Sequence, residues 1–165
     1  MIEALRIDER LIHGQVANQW SKALGFNAIV VANDQATTDR MMQMALRMAA
    51  PGGNIKIVIK TVDEACTLLN DPRCNDLKIF VVCNNPFDAL KLIKNVKGIP
   101  CVNVGNFGRI GFTTLEQSGR KQFSESIYAN EEEVACFKEM IATGVECNYR
   151  MLPDQPKVSL ASIIK

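Results

Sequence analysis

An open, mainly parallel α/β sheet of about seven strands, doubly wound with helices on both faces, is the architecture this sequence predicts. Three observations carry it. Apolar runs of strand length alternate with helix-patterned segments, the alternation repeats four times, and the runs are apolar almost continuously rather than at every second residue. Alternating βα units imply a parallel sheet. Strands covered on both faces lose the in-out alternation of a half-exposed sheet.

The first strand is read at residues 2–7 (IEALRI) and the second at 27–32 (NAIVVA), with three consecutive β-branched residues. The third falls at 55–59, the fourth at 78–83 and the fifth at 101–104. Between them, Val16, Trp20 and Leu24 recur at helical spacing from Gly14 onward, with Trp20 as core anchor. Residues 38–50 are rich in Met, Ala and Leu, and end at Pro51-Gly52-Gly53; Met41, Met42, Met44 and Met48 are expected to pack this helix. Thr61 reads as an N-cap with Glu64 three residues on. Pro86 opens a helix over 87–95. Residues 105–120 read as a glycine-rich loop or short hairpin, 122–129 as a more exposed strand, 131–143 as a helix with an acidic first turn, and 145–151 as the last strand. The tail 157–164 has the spacing of a short amphipathic helix. Without linker, repeat or low-complexity stretch, residues 1–165 read as a single domain.

The balance of charge is +1, with no basic run, so sequence-independent nucleic-acid binding is not expected. Solvated surface charge is the default reading of scattered cations such as Arg6. Six cysteines lack CxxC spacing and share the chain with a single histidine, which argues against a metal site and for free thiols. No apolar run reaches membrane-spanning length, and the charged start MIEALRIDERL is unlike a secretory leader.

In open parallel sheets, ligands bind beyond the carboxyl ends of the strands. The most informative segment there follows strand 1. His13 lies between that strand and a helix starting near Gly14, with Arg10 three residues upstream. A helix start presents N–H groups and positive potential to an anion, and a guanidinium can grip phosphate with two donors. A neutral imidazole in that setting can act as a nucleophile toward phosphorus. The same spacing also suits a packing histidine, and Arg10 could equally pair with Glu9 or Asp34; Asn33-Asp34 could be a turn and helix cap. Gly105-x-x-Gly108-x-x-Gly111 does not have the spacing or position of a dinucleotide loop, and the Walker pattern is absent.

The stretch Arg6-Ile7-Asp8-Glu9-Arg10-Leu11-Ile12-His13-Gly14-Gln15-Val16 resembles the active loop of the IIB components of the bacterial sugar phosphotransferase system, mannose/fructose/sorbose class. Val31-Ala32-Asn33-Asp34, Asn103-Val104-Gly105-Asn106, Gly119-x-Lys121-Gln122 and Gly144-Val145-Glu146 look like further landmarks of that family. The resemblance implies a phosphocarrier in which His13 takes a phosphoryl group through Nδ1 from a phosphohistidine IIA partner. The group then passes to a sugar presented by membrane IIC and IID components, at the inner face of the membrane, without metal or nucleotide cofactor. It implies Arg10 as phosphate clamp, the backbone of Gly14 and Gln15 as donors, Asp8 as support for the loop, and Asp34 as a residue orienting Arg10 or His13 from the neighbouring strand end. It leaves room for a homo-oligomer. The combination with VAND and GVEC resembles the N-acetylgalactosamine or galactosamine branch, while residues 106–112 are longer and richer in glycine than the family pattern. The competing class is a non-enzymatic module that binds a small anion at the same sheet edge, or regulates through it, and forms no covalent adduct.

Overall fold

The computed structural model describes residues 1–109 and 119–165. Seven strands form the main sheet: β1 (Ile2–Ile7), β2 (Ala28–Ala32), β3 (Lys56–Lys60), β4 (Ile79–Cys83), β5 (Cys101–Val104), β8 (Glu146–Tyr149) and β9 (Val158–Ser159). Their order is β3-β2-β4-β1-β5-β8-β9, parallel throughout except for the β8–β9 pair. Among the described residues there are five α-helices: α1 (Gly14–Leu24), α2 (Arg40–Ala49), α3 (Val62–Leu69), α4 (Pro86–Asn95) and α5 (Glu131–Ala142). The doubly wound α/β expectation holds.

Alternation along each strand sends side chains to two separate cores. On one side Ala4, Ile29, Val31, Phe80 and Val82 meet Ala17 and Trp20 of α1 and Leu46 of α2. Phe26 and Phe80 stack there with ring centroids 4.7 Å apart. On the other side Leu5, Ile7, Val30 and Val81 meet Ala65, Leu92 and Phe137 from α3, α4 and α5. Burying both faces explains why β2 and β4 are buried at every position. Local signals set the helix starts: Thr61 Oγ1 accepts from Glu64 N, Asn85 Oδ1 from Asp88 N, and Asn130 with Glu133 forms a reciprocal capping box.

Three expectations are corrected. Residues 122–129 do not form one strand; β6 (Lys121–Gln122) and β7 (Tyr128–Ala129) pair antiparallel as a small separate hairpin, because the chain turns back between Phe123 and Ile127. The tail at 157–164 instead supplies β9, which pairs with β8, followed by a short 3-10 turn over Leu160–Ser162. The spacing that looked helical there is the burial of Leu160 and Ile164 against the core. Finally, Met41, Met44 and Met48 face outward on α2, which packs through Met42, Leu46 and Ala49 instead. Most of the glycine-rich loop, residues 110–118, lies outside the described residues.

All six cysteines are free. Burial pushes the Cys136 and Cys147 thiols up to about 11, so both stay protonated and unreactive at neutral pH. Among the described residues there is no His/Cys/Asp/Glu cluster able to hold a metal ion, and no helix is long and apolar enough to cross a membrane.

Candidate active site

Register brings the site together. Ile7 of β1 lies level with Cys83 of β4 and Val104 of β5, and Val104 lies level with Tyr149 of β8. The chain leaves all four strands on one line. Asp8 N donates to Cys83 O at 3.0 Å and Gly105 N donates to Ile7 O at 2.9 Å, so β1 is held from both sides at the point where the loop to His13 begins.

That loop is short and tightly tied. Asp8 Oδ1 accepts from Arg10 N at 3.1 Å, Asp8 O accepts from Leu11 N at 2.9 Å, and Glu9 N donates to Asn106 O at 2.8 Å. Leu11 takes a left-handed conformation, φ 60°, which costs a residue with a side chain about 1 kcal/mol. Burial of Leu11 and Ile12 in the α1 side core offsets that cost. The result points His13 back over the sheet edge at the first position before α1. Its side chain does not cap the helix, so the ring is left for another partner.

That partner is Asp8. His13 Nε2 lies 3.1 Å from Asp8 Oδ2, the same oxygen that accepts from Arg6 Nη2 at 3.1 Å. Asp8 is fully buried, and His13 keeps 19% of its side chain exposed. Burial alone would push the Asp8 carboxyl up. The His13 hydrogen bond, the Arg6 charge and the Arg10 amide together outweigh it and hold the carboxyl below its usual range. An ionised carboxylate has no proton to donate, so Nε2 carries the hydrogen and the lone pair of a neutral ring lies on Nδ1. The arrangement thus offers one defined nitrogen as a nucleophile.

The positive surroundings come from three sources. Gly14 and Gln15 are exposed at the start of α1, whose first turn has no acidic residue, so their N–H groups are available to an anion. Arg10 is exposed and, with Arg109 and Arg150, lines an open cleft of about 580 Å³ between the His13 loop, the β6–β7 turn and the segment after β8. Arg6 supplies a third, buried charge.

Asp34 sits apart. Its Oδ1 accepts from Val62 N at 2.9 Å, and Asn33 Oδ1 accepts from Ala36 N, so Asn33-Asp34 is a turn and cap. The expectation that it orients Arg10 or His13 assumed that β2 lies beside β1. In fact β4 is inserted between them.

Arg6 and Asn103, which the sequence reading gives no role in the site, belong to it. The solvated reading of Arg6 is wrong: it is only 2% exposed. Its Nη1 donates to Asn103 Oδ1, and its guanidinium lies over Trp20, 5.3 Å from the ring centroid. The available signal was an arginine inside a strand otherwise made for the core. The two glycines also find their reasons here. A Cβ on Gly105 would fall 2.1 Å from Arg6 Nη2, and one on Gly108 would fall 1.9 Å from Tyr128 O. They admit a guanidinium and a neighbouring hairpin, not a nucleotide.

A mainly parallel sheet with a histidine at the end of its first strand, just before a helix start and on the same loop as an exposed arginine, is the arrangement expected of a phosphoryl-transfer class of protein. The chain matches the family described as PTS system sorbose subfamily IIB component over residues 2–165. It is 38% identical over 165 residues to a probable phosphotransferase enzyme IIB component of Streptococcus pyogenes, covering 99% of each chain. It is 33% identical over 160 residues to an N-acetylgalactosamine-specific phosphotransferase enzyme IIB component of Escherichia coli, covering 96% of each. The crystal structure of the IIB domain of the sorbose permease from Klebsiella pneumoniae superposes with a TM-score of 0.88 at 28% identity, over 99% of this chain and 96% of that one. The chain belongs to the sorbose subfamily of IIB components, and it is a phosphotransferase of the sugar phosphotransferase system.

Proposed function

We infer that His13 is the phosphoryl carrier of this chain. The observation that carries the reading is the Asp8–His13 contact at 3.1 Å, which holds the proton on Nε2 and leaves Nδ1 to attack. A phosphohistidine IIA protein docks over the carboxyl edge of the sheet. The N–P bond of the donor breaks as the bond from His13 Nδ1 to phosphorus forms. The backbone of Gly14 and Gln15 and the side chain of Arg10 take up the charge on the phosphoryl oxygens. In the second step the His13 N–P bond breaks as a sugar hydroxyl attacks, its proton released to solvent, with the sugar presented by membrane IIC and IID components. The protein then works at the inner face of the membrane through these partners. Positioning and electrostatics suffice for a donor that is already a phosphoramidate.

The sugar proposed is an amino sugar of the N-acetylgalactosamine type. The VAND and GVEC segments and the relative specific for N-acetylgalactosamine support it. Residues 1–165 are proposed to act as one domain.

Incubation with phosphorylated IIA should give an acid-labile, base-stable phosphate on His13, and His13→Ala should accept none. Equal labelling of that variant would overturn the carrier assignment. With membranes containing IIC and IID, N-acetylgalactosamine should be phosphorylated faster than sorbose, mannose or fructose; the reverse order would overturn the sugar assignment alone.

A further inference from the structure

An arginine in the middle of a sheet covered on both faces is costly unless every donor is used. Both terminal nitrogens of Arg6 are met in this way. Asn103 Oδ1 and Asp8 Oδ2 accept from its two terminal nitrogens, Arg150 O lies 3.4 Å from Nη1, and Met151 O lies 3.3 Å from Nη2. Asn103 is held in turn by Asn148 Oδ1 at 2.9 Å. Trp20 covers the guanidinium and donates its own Nε1 to Met151 O at 3.0 Å. Gly105 leaves the space the fork fills. Strands β1, β5 and β8, helix α1 and the segment after β8 all contribute to this one cradle. Of its acceptors, Asp8 alone is anionic, and the oxygen it offers is the one that faces His13.

We propose that Arg6 is a positioning residue for phosphoryl transfer, acting on His13 through Asp8 and thereby selecting which ring nitrogen attacks. The proposal rests on the reading of His13 as the carrier. Asp8 can fix the tautomer only while it is ionised and its Oδ2 is held toward the ring. Both conditions are met by Arg6: its charge opposes the effect of burial on the carboxyl, and its planar fork pins the oxygen. Without Arg6, a fully buried carboxyl tends to take a proton. A protonated Asp8 would donate to Nε2 rather than accept from it, and the ring hydrogen would move to Nδ1, blocking attack.

The test reads the His13 tautomer by ¹⁵N NMR of the full chain at about pH 8, where an ordinary histidine is neutral. The unmodified protein should show the Nε2–H form. Arg6→Gln should shift His13 toward a mixture with the Nδ1–H form and slow acceptance from phosphorylated IIA by about tenfold or more, as loss of a group that orients a functional imidazole does. Arg6→Lys, which restores charge without the fork, should recover part of both. Should Arg6→Gln fail to fold, Gly105→Ala crowds the fork and the Asp8 oxygen it pins while keeping the charge, and the same shift is expected. A dominant Nδ1–H form in the unmodified protein overturns the proposal. So does a folded Arg6→Gln or Gly105→Ala chain with unchanged tautomer and rate. The tautomer is read without any phosphoryl donor, so this outcome is separable from loss of labelling in His13→Ala, which tests the carrier itself.

Discussion

Two ion pairs in this molecule are built from the same residue types two positions apart, and they do different things. Arg73 Nη2 and Asp71 Oδ2 approach to 2.6 Å on the surface, with Arg73 90% exposed. Arg6 and Asp8 lie at 3.1 Å, with side-chain exposures of 2% and 0%. Hydrogen bonds from the Arg73 side chain and backbone hold the Asp71 carboxyl down to about 2. Even so, the surface pair contributes little, because water and salt compete with every contact it makes. The buried pair is longer, yet it cannot be broken cheaply, since removing either partner strands a charge in the interior. Burial rather than distance decides what an ion pair is worth, and only the buried pair touches the ring of His13.

The sharpest way to break this contrast is Asp8→Ala. It leaves Arg6 buried without its anion, and urea unfolding at pH 7 should show a loss of about 3–5 kcal/mol; a loss within experimental error would mean the pair is not structurally important. Gly105→Ala comes next. Its methyl group would fall on Arg6 Nη2, and overpacking of this kind should cost about 1–3 kcal/mol in the same measurement. Acid unfolding sharpens the comparison further. The folded Asp8 carboxyl is held below its ordinary value of 3.8, so its stabilisation is fully present above that value and is lost as pH falls through the lower folded one. The stability of the unmodified protein should therefore fall more steeply below about pH 4 than that of Asp8→Asn. Arg10→Ala should slow phosphoryl transfer about tenfold while leaving the melting temperature unchanged, since its side chain is exposed. The smallest effect is expected for Arg73→Ala, with no detectable change in melting temperature or transfer.

Much of this was legible in local sequence. The five apolar runs mark β1 to β5 within a residue or two because strand burial on both faces is written as continuous hydrophobicity. His13 stood out because it is the only histidine and lies between a strand and a helix start. Where reading failed, distant residues competed. Residues 122–129 alternate like a strand, yet Phe107 pairs its backbone with Tyr128 and Ser126 and claims that segment for a hairpin. The spacing at 157–164 fits a helix as well as it fits an edge strand and a turn with two buried anchors. The outward methionines of α2 could not be told from its inward ones by composition, since both repeat at helical spacing.

What this chain's sequence determined alone was a set of strands, the helices between them, and one imidazole at a helix start beside an arginine. Tertiary structure decided the company that imidazole keeps. Insertion of β4 beside β1 separates Asp34 from it, and the return of the chain through β5 and β8 brings Asn103 and the carbonyls of Arg150 and Met151 to Arg6. The physical reason is range. Hydrophobic period and capping act over a few neighbouring residues, whereas strand order and register arise from pairings between residues far apart in the chain, and these select which oxygen faces which nitrogen.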